Sequence, residues 1–446
     1  MGTKTDQQLQ IVFLPYMAHG HTLPLIDIAK LFASHGSKST IVTTPFNAPL
    51  ISKSIQSSKI DLLVIKFPSN EVGLPEGIEN ANLATTREMK EKLYKASNLL
   101  APQVEQILEQ YHPHCLVADS LYHWSTDVAA KFGIPRIIFQ GVGFFPLCAS
   151  LSVILYQPHK KVSSDSEPFL IPNLPHEIKT TRNQVPAFLN LDGKTELIKL
   201  VKASIEAEER SYGSVVNSFY ELEPDYADHY RKVLGRKTWH IGPVSLCNKA
   251  ERDKSERGRG GSVDEVHECM NWLNSKESYS VVYICFGSLT IFNDCQLIEI
   301  VLALEASHQQ FIWVLRKENN DKEELLLKEF EQRMEGVSAG VPMITWPVTG
   351  EQFYNEKLVN EILRIGVAVG AEKWATFEEE SARSEASVKR EAIEKAVTEI
   401  MVGDEAKEMR KRSKALKEMA SRAVEEGGSS YSDLTALIEE LKSLRP

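Results

Sequence analysis

Apolar residues recur along this chain in two alternating rhythms. Short strand-like runs with apolar centres, at 10–16, 39–44, 62–67, 115–119, 136–139 and 214–217, are separated by stretches with helical spacing. In 25–34, Leu25, Ile26, Ala29 and Phe32 fall on one helical face, and 88–111 carries a similar stripe. Strands that are apolar on both faces and separated by helices predict a parallel sheet covered on both sides. Around 248–262 the character changes to NKAERDKSERGRGGS, a charged and glycine-rich string that reads as a linker. A second series then predicts a helix at 263–275, a strand at 281–286, a helix at 294–307, a strand at 311–315 and an acidic helix near 323–334. A helix end closed by Gly340 follows, with strands at 342–346 and 366–369.

The remainder is helical by pattern. Ala392, Ile393, Ala396, Val397, Ile400 and Met401 form one stripe, and a more charged helix runs over 405–425. After Gly427 and Gly428, Ser430 and Asp433 resemble a capping box at the start of a last helix. The expected fold is α/β, with two Rossmann-like halves facing across a ligand cleft. Its divisions are 1–247, a linker at 248–262, a second domain at 263–427, and a C-terminal helix at 428–446 that packs back on the first domain.

Composition narrows the function classes. At 446 residues there is room for two ordinary domains. The formal charge of −10 argues against a nucleic-acid or anionic-membrane surface, and the one basic run, 252–259, is broken by acids and glycines. No stretch approaches the roughly 18 continuous apolar residues of a membrane span. The opening MGTKTDQQLQ has no apolar signal core, and Asp6 stands where an N-acylation motif wants Ser or Thr. Six cysteines without paired spacing predict reduced thiols in the cytoplasm, with neither a zinc site nor a disulfide frame.

Candidate chemistry sits where predicted strands end. The first strand runs into MAHGHTLP, in which Gly20 permits a tight turn, Thr22 can cap the next helix and Pro24 suits its first turn. His21 therefore lies at the carboxyl end of a parallel strand, the ligand side of open α/β sheets. Asp119 ends the strand at 115–119. If the two strands are neighbours, Asp119 can accept a hydrogen bond from one nitrogen of His21, and the other can take a proton from a hydroxyl. Spacing alone favours a helix-capping histidine and a strand-end Asp that caps the following helix. Phe144 and Phe145, after Gly143, form either an apolar wall for a flat lipophilic acceptor beside His21 or plain core. In YICFGSLT, Ser288 follows a glycine at a helix entry, where backbone amides and a hydroxyl can meet a phosphate. Glu351 and Gln352 place a carboxylate and an amide side by side, able to grip sugar hydroxyls or simply to cap a helix.

The segment VSAGVPMITWPVTGEQFYNEKLV closely resembles the second half of the signature box of plant UDP-glycosyltransferases. KFGIPRIIFQG, VVNSFYELEP, TWHIGPV and VEEGGSSYSDLTALIEEL also look like family segments, so the resemblance runs from about residue 10 to the end. It implies a GT-B fold and an inverting transferase with His21 as general base and Asp119 as its activator. Ser288 would lie against the diphosphate, and Glu351 and Gln352 would hold the donor sugar. The implied co-substrate is UDP-glucose or a related UDP-sugar, with no further cofactor and no metal. The implied acceptor is a small lipophilic metabolite of flavonoid or terpenoid type, and the expected state is a monomer without nucleic-acid partners or stable membrane insertion.

One departure stands out. Where the family carries a Trp-Ala-Pro-Gln turn, a helix, a strand and His-Cys-Gly-Trp-Asn-Ser, this chain passes from FEQRMEG directly into VSAGVPM. Glu335 takes the place of the family's ribose-binding Glu or else ends the acidic helix. Two strands and one helix of the second sheet are expected to be missing, leaving the strands at 311–315 and 342–346 without neighbours. The alternative function is a shortened variant that keeps only acceptor binding. A nucleotide-dependent oxidoreductase is disfavoured, because PYMAHGH is not a G-x-G-x-x-G fingerprint.

Overall fold

The computed structural model describes residues 8–189, 193, 195–249, 263–287, 290, 292–314 and 332–444. Two compact units emerge. The first comprises Met1–Phe144, Asn190–Gly258 and Ser421–Pro446, and the second Phe145–Leu189 and Arg259–Ala420.

The first unit is built on a seven-stranded sheet. Its strands are β1 (Gln10–Leu14), β2 (Lys38–Thr43), β3 (Ile60–Val64), β4 (Cys115–Asp119) and β5 (Arg136–Gln140), then, beyond a hairpin of β6 (Pro168–Leu170) and β7 (Lys179–Thr181) in the second unit, β8 (Gly213–Val216) and β9 (Thr238–His240). The order β3-β2-β1-β4-β5-β8-β9 is parallel throughout. Alternation along each strand feeds two cores. Ile11 and Phe13 of β1 join Cys115 and Val117 of β4 on one face, while Val12 and Leu14 join Leu116 and Ala118 on the other. Burial on both faces is what makes these strands read as unbroken apolar runs.

Helix α1 (His19–Ser34) follows β1 and gives Leu23, Ile26 and Phe32 to the first core. Its start differs from the expected one. Ala18 is the N-cap, Thr22 lies inside the helix and donates to the Tyr16 carbonyl at 2.9 Å, and Pro24 sits one turn in. The helix Ser429–Ser443 places Leu434, Leu437, Ile438 and Leu441 in that same core. Here too the capping residues act otherwise. Gly428 is the N-cap, Ser430 donates to the Gly242 carbonyl, and Asp433 accepts from the His240 backbone N–H at 3.0 Å and its Nδ1 at 2.7 Å.

Asp433 also pairs with Arg231. Burial pushes its carboxyl pKa up, but the His240 hydrogen bond and the Arg231 charge outweigh burial and hold it below the ordinary value. A depressed folded pKa stabilises above the unfolded pKa and is lost as pH falls through the folded value. We expect Asp433→Asn to destabilise the first unit by roughly 1–3 kcal/mol at pH 7 and by progressively less as pH falls below the ordinary carboxylate value and through the depressed folded one. Denaturant melts over a descending pH series check this, and a loss that stays constant down the series would contradict it.

The second unit carries two parallel pairs, β10 (Val281–Ile284) with β11 (Gln310–Trp313), and β12 (Met343–Thr345) with β13 (Gly366–Ala368). Among the described residues these are separate two-stranded sheets. They share one core: Val282, Trp313, Ile344 and Val367 pack with the helices Asp294–Ser307 and Arg390–Val402. Phe286 meets Phe292 and Trp346 edge-on at 4.7 and 5.4 Å, which ties the end of β10 to the end of β12. Tyr283 and Phe311 remain exposed. Gly340, with φ +71°, ends the helix Gln332–Ala339, a left-handed conformation that glycine adopts without strain. The stretch 145–189, which the sequence assigns to the first domain, clusters with the second unit. The Trp374 N–H donates to the Asn183 carbonyl at 2.7 Å, and the Trp374 ring meets Phe188.

Candidate active site

β1 and β4 are hydrogen-bonded neighbours, with Leu14 opposite Ala118, so the chain leaves both strands at the same edge of the sheet. That register brings together side chains 98 positions apart. His21 Nδ1 lies 2.7 Å from Asp119 Oδ2. The Asp119 side chain is fully buried and that of His21 is 22% exposed. The second carboxylate oxygen accepts the Leu121 N–H at 2.9 Å, which fixes the plane of the group. A carboxylate can only accept, so the imidazole proton is on Nδ1 and the basic lone pair on Nε2.

The surroundings are aromatic and dry. Tyr16 meets the His21 ring edge-on at 5.7 Å and leans on Tyr122, whose ring contacts Trp124. Burial, with lesser contributions from neighbouring phenols and Asp119, pushes the Tyr16 hydroxyl well above its ordinary pKa. Tyr122 is raised by burial and then Asp119. Both remain neutral phenols at any physiological pH.

Arg136, the one charged residue of β5, is buried under this strand edge. Its Nη2 donates to the Asp119 carbonyl at 2.8 Å and its Nη1 to Thr126 at 2.7 Å. Burial pushes its pKa down to about 10, opposed by Asp119, so it stays charged at neutral pH. Its signal in the sequence is the strand-embedded arginine of KFGIPRIIFQG.

Phe144 and Phe145 are not an exposed wall. Both are 0% exposed. The Phe144 ring packs edge-on against Tyr230 at 5.7 Å and His240 at 6.4 Å, and its N–H donates to Glu223 at 3.0 Å. A ring with no accessible surface presents none to an acceptor, and the core alternative is the one realised.

In the second unit, Glu351 and Gln352 open the helix Gln352–Lys357, with Glu351 as N-cap. Glu351 Oε1 accepts from Asn355 Nδ2 at 3.0 Å, and Gln352 Oε1 accepts the Val348 and Thr349 N–H groups at 2.8 and 3.1 Å. The amide oxygen thus holds the turn, and its Nε2 keeps two protons to donate. Trp374 braces the same turn, its Nε1 donating to the Gly350 carbonyl at 3.1 Å. A cavity of about 130 Å³ lies beside Trp346, Pro347 and Val348, with Glu372, Lys373, Glu380 and Arg383 around it. That is well below the roughly 300–1,000 Å³ of a site for a drug-sized ligand. Ser288 and the side chain of Glu335 lie outside the described residues; the Glu335 backbone is within the helix Gln332–Ala339.

Compared with solved structures, the chain matches UGT73P12 of Glycyrrhiza uralensis, complexed with glycyrrhetinic acid 3-O-monoglucuronide. The TM-score is 0.87 at 38% identity, covering 98% of this chain and 96% of that one. Medicago truncatula UGT71G1, complexed with UDP-glucose, shares the fold at TM-score 0.75 and 21% identity, over 99% of this chain and 100% of that one. The fold is that of the GT-B transferases. Among curated sequences, the UDP-glucose flavonoid 3-O-glucosyltransferase 7 of Fragaria ananassa is 59% identical over 481 aligned positions, 100% of this chain and 98% of the relative. The scopoletin glucosyltransferase of Nicotiana tabacum is 47% identical, over 98% of each chain. No protein-family model matches. The chain belongs to the plant UDP-glucosyltransferases of the UGT73 type, a family of hexosyltransferases.

The first match has more aligned positions, 481, than the chain has residues, 446. The Fragaria enzyme therefore contains stretches with no counterpart here.

Among the described residues, no helix is long and apolar enough to cross a membrane.

Proposed function

We propose that this chain transfers glucose from UDP-glucose, with inversion, to a hydroxyl of a small lipophilic plant metabolite of the flavonoid or terpenoid class. The observation that carries this reading is the buried carboxylate of Asp119, 2.7 Å from His21 Nδ1. In the proposed step His21 Nε2 takes the acceptor hydroxyl proton as the oxygen attacks the anomeric carbon. Asp119 stabilises the imidazolium that forms, and UDP leaves from the opposite face. One displacement inverts the anomeric centre without a covalent enzyme intermediate.

On the donor side, Glu351 and the Nε2 protons of Gln352 are assigned to the glucose hydroxyls, and Ser288 and Glu335 to the diphosphate and ribose. Support for the substrate classes comes from the relatives, named for flavonoid, scopoletin, anthocyanin and abscisate glucosylation. Six cysteines, none of them in a disulfide, support action in the cytoplasm, and the proposed state is a monomer.

The test is incubation with UDP-glucose and a panel of phenolic and terpenoid alcohols. The expected product is a β-glucoside, formed by the wild type and not by His21→Ala. Equal turnover by the variant would remove the proposed base. A second reading, a variant impaired in donor binding that still holds acceptors, is favoured by the aligned positions that this chain lacks.

A further inference from the structure

We infer that Asn82 and His19 form a buried clamp that sets where α1 begins and so places His21 against Asp119, making both positioning residues for the transfer. The inference rests on the reading of His21 as general base.

Helix α1 starts without help from its own sequence, since its N-cap Ala18 has no side chain able to accept a hydrogen bond. The missing acceptor comes from 63 residues away. Asn82 Oδ1 takes the His19 backbone N–H at 3.1 Å and also lies 2.8 Å from His19 Nδ1. Because a backbone N–H must meet an acceptor, the oxygen assignment of that amide is fixed, and His19 must donate from Nδ1. The neighbouring Ala81 N–H donates to the Met17 carbonyl at 2.7 Å. Two adjacent residues therefore grip the backbone on either side of Ala18, whose extended conformation (φ −147°, ψ 141°) turns the chain from β1 into α1. His21 lies in the first turn of this helix, its own N–H bonded to the Ala18 carbonyl at 2.9 Å. A shift of the helix start would carry the imidazole with it.

The clamp is anchored in turn. The Asn82 N–H donates to Asn80 Oδ1 at 3.0 Å, Asn80 Nδ2 to Asn47 Oδ1 at 2.9 Å, and Asn47 Nδ2 to Thr44 Oγ1 at 2.8 Å and the Glu79 carbonyl at 3.1 Å. Glu79 accepts the Phe46 N–H at 3.0 Å. All of these side chains are buried, and the chain of amides ties the loop after β1 to the loop after β2. His19 is itself buried, and its Nε2 has no hydrogen-bond partner. An apolar side chain would avoid that unpaired nitrogen. What imidazole adds is the Nδ1–H for Asn82. Burial lowers the His19 pKa, against the opposing Asn82 bond, so the ring stays neutral and its donor stays in place.

The test compares Asn82→Leu, which keeps size and loses the acceptor, with Asn82→Asp, which restores one. With UDP-glucose and a phenolic acceptor, Asn82→Leu is expected to lower kcat about 10- to 100-fold, within the range that general-base catalysis spans, and to leave the acceptor KM within about 3-fold. Asn82→Asp should recover most of the rate. A readout independent of turnover is the low-field proton resonance of His21 Nδ1 bonded to Asp119, identified by its loss in His21→Gln. It should shift or broaden in Asn82→Leu and return in Asn82→Asp. If the wild type transfers no sugar, the proposed function fails and the resonance alone decides the clamp. An unchanged resonance and unchanged kcat in Asn82→Leu would overturn it. Should Asn82→Leu not fold, His19→Phe keeps the backbone cap and removes only the side-chain donor. A normally melting His19→Phe with wild-type kcat and an unshifted resonance would likewise overturn the inference.

Discussion

Asp119→Asn is expected to lower kcat for glucosyl transfer by about 10²–10⁴-fold, the span that a positioned general base contributes, with little change in KM for UDP-glucose. The size of the effect follows from the two hydrogen bonds of the carboxylate. One oxygen accepts the Leu121 N–H and the other faces His21 Nδ1. An amide in this place must give its oxygen to Leu121, which turns its NH₂ toward the imidazole. Nδ1 then has to offer a lone pair, the ring proton moves to Nε2, and the nitrogen meant to take the acceptor proton is already occupied. The fold is expected to hold, because the amide has nearly the same volume. A drop smaller than about 3-fold in a variant that melts like wild type would show that Asp119 does not set the tautomer.

The second large effect concerns UDP. Calorimetry is expected to show UDP bound roughly 10²–10⁴-fold more weakly by this chain than by the Fragaria relative, as the loss of two charge-assisted phosphate contacts at about 1.5–3 kcal/mol each would produce. The expectation rests on the resemblance, by which a stretch is absent between FEQRMEG and VSAGVPM, and on the excess of aligned positions over residues, which the alignment does not locate. By resemblance, that stretch brings the ring that stacks on uracil and the His and Asn-Ser that hold the diphosphate. Among the described residues, the strands of the second unit form two separate pairs, and Phe311 and Tyr283 are exposed at β11 and β10. Equal affinities would place the nucleotide site on residues that this chain retains.

Much of the first unit was legible because its strands are buried on both faces. Cys115–Asp119 reads as a strand, and Asp294–Ser307 as a helix, with the same ends the structure gives them; the structure caps the helix with Asn293, which accepts the Gln296 N–H. Long, strongly patterned segments reveal themselves because local preference and tertiary burial agree. Other features were hidden because their causes are distant in sequence. Thr22 looked like a cap, yet α1 begins three residues earlier, since the acceptor it needs comes from Asn82. Ser430 and Asp433 resembled a capping box, but their partners are Gly242, His240 and Arg231. β6 and β7 have only three residues each and largely exposed or half-exposed side chains, so they carried no periodic signal. The aromatic pair at 144–145 shows the opposite failing: two adjacent rings look the same in sequence whether they line a pocket or fill a core.

The helix Ser429–Ser443 supplies four side chains to the core that also holds Phe13 and Phe139. During synthesis those four leave the ribosome only after the whole of 263–420 has been made. The sheet beside which His21 sits must therefore wait, the part of its apolar face that this helix covers left open, while the second unit is translated. Chaperone dependence and loss on truncation near residue 430 are thus to be sought in the half of the molecule that was made first.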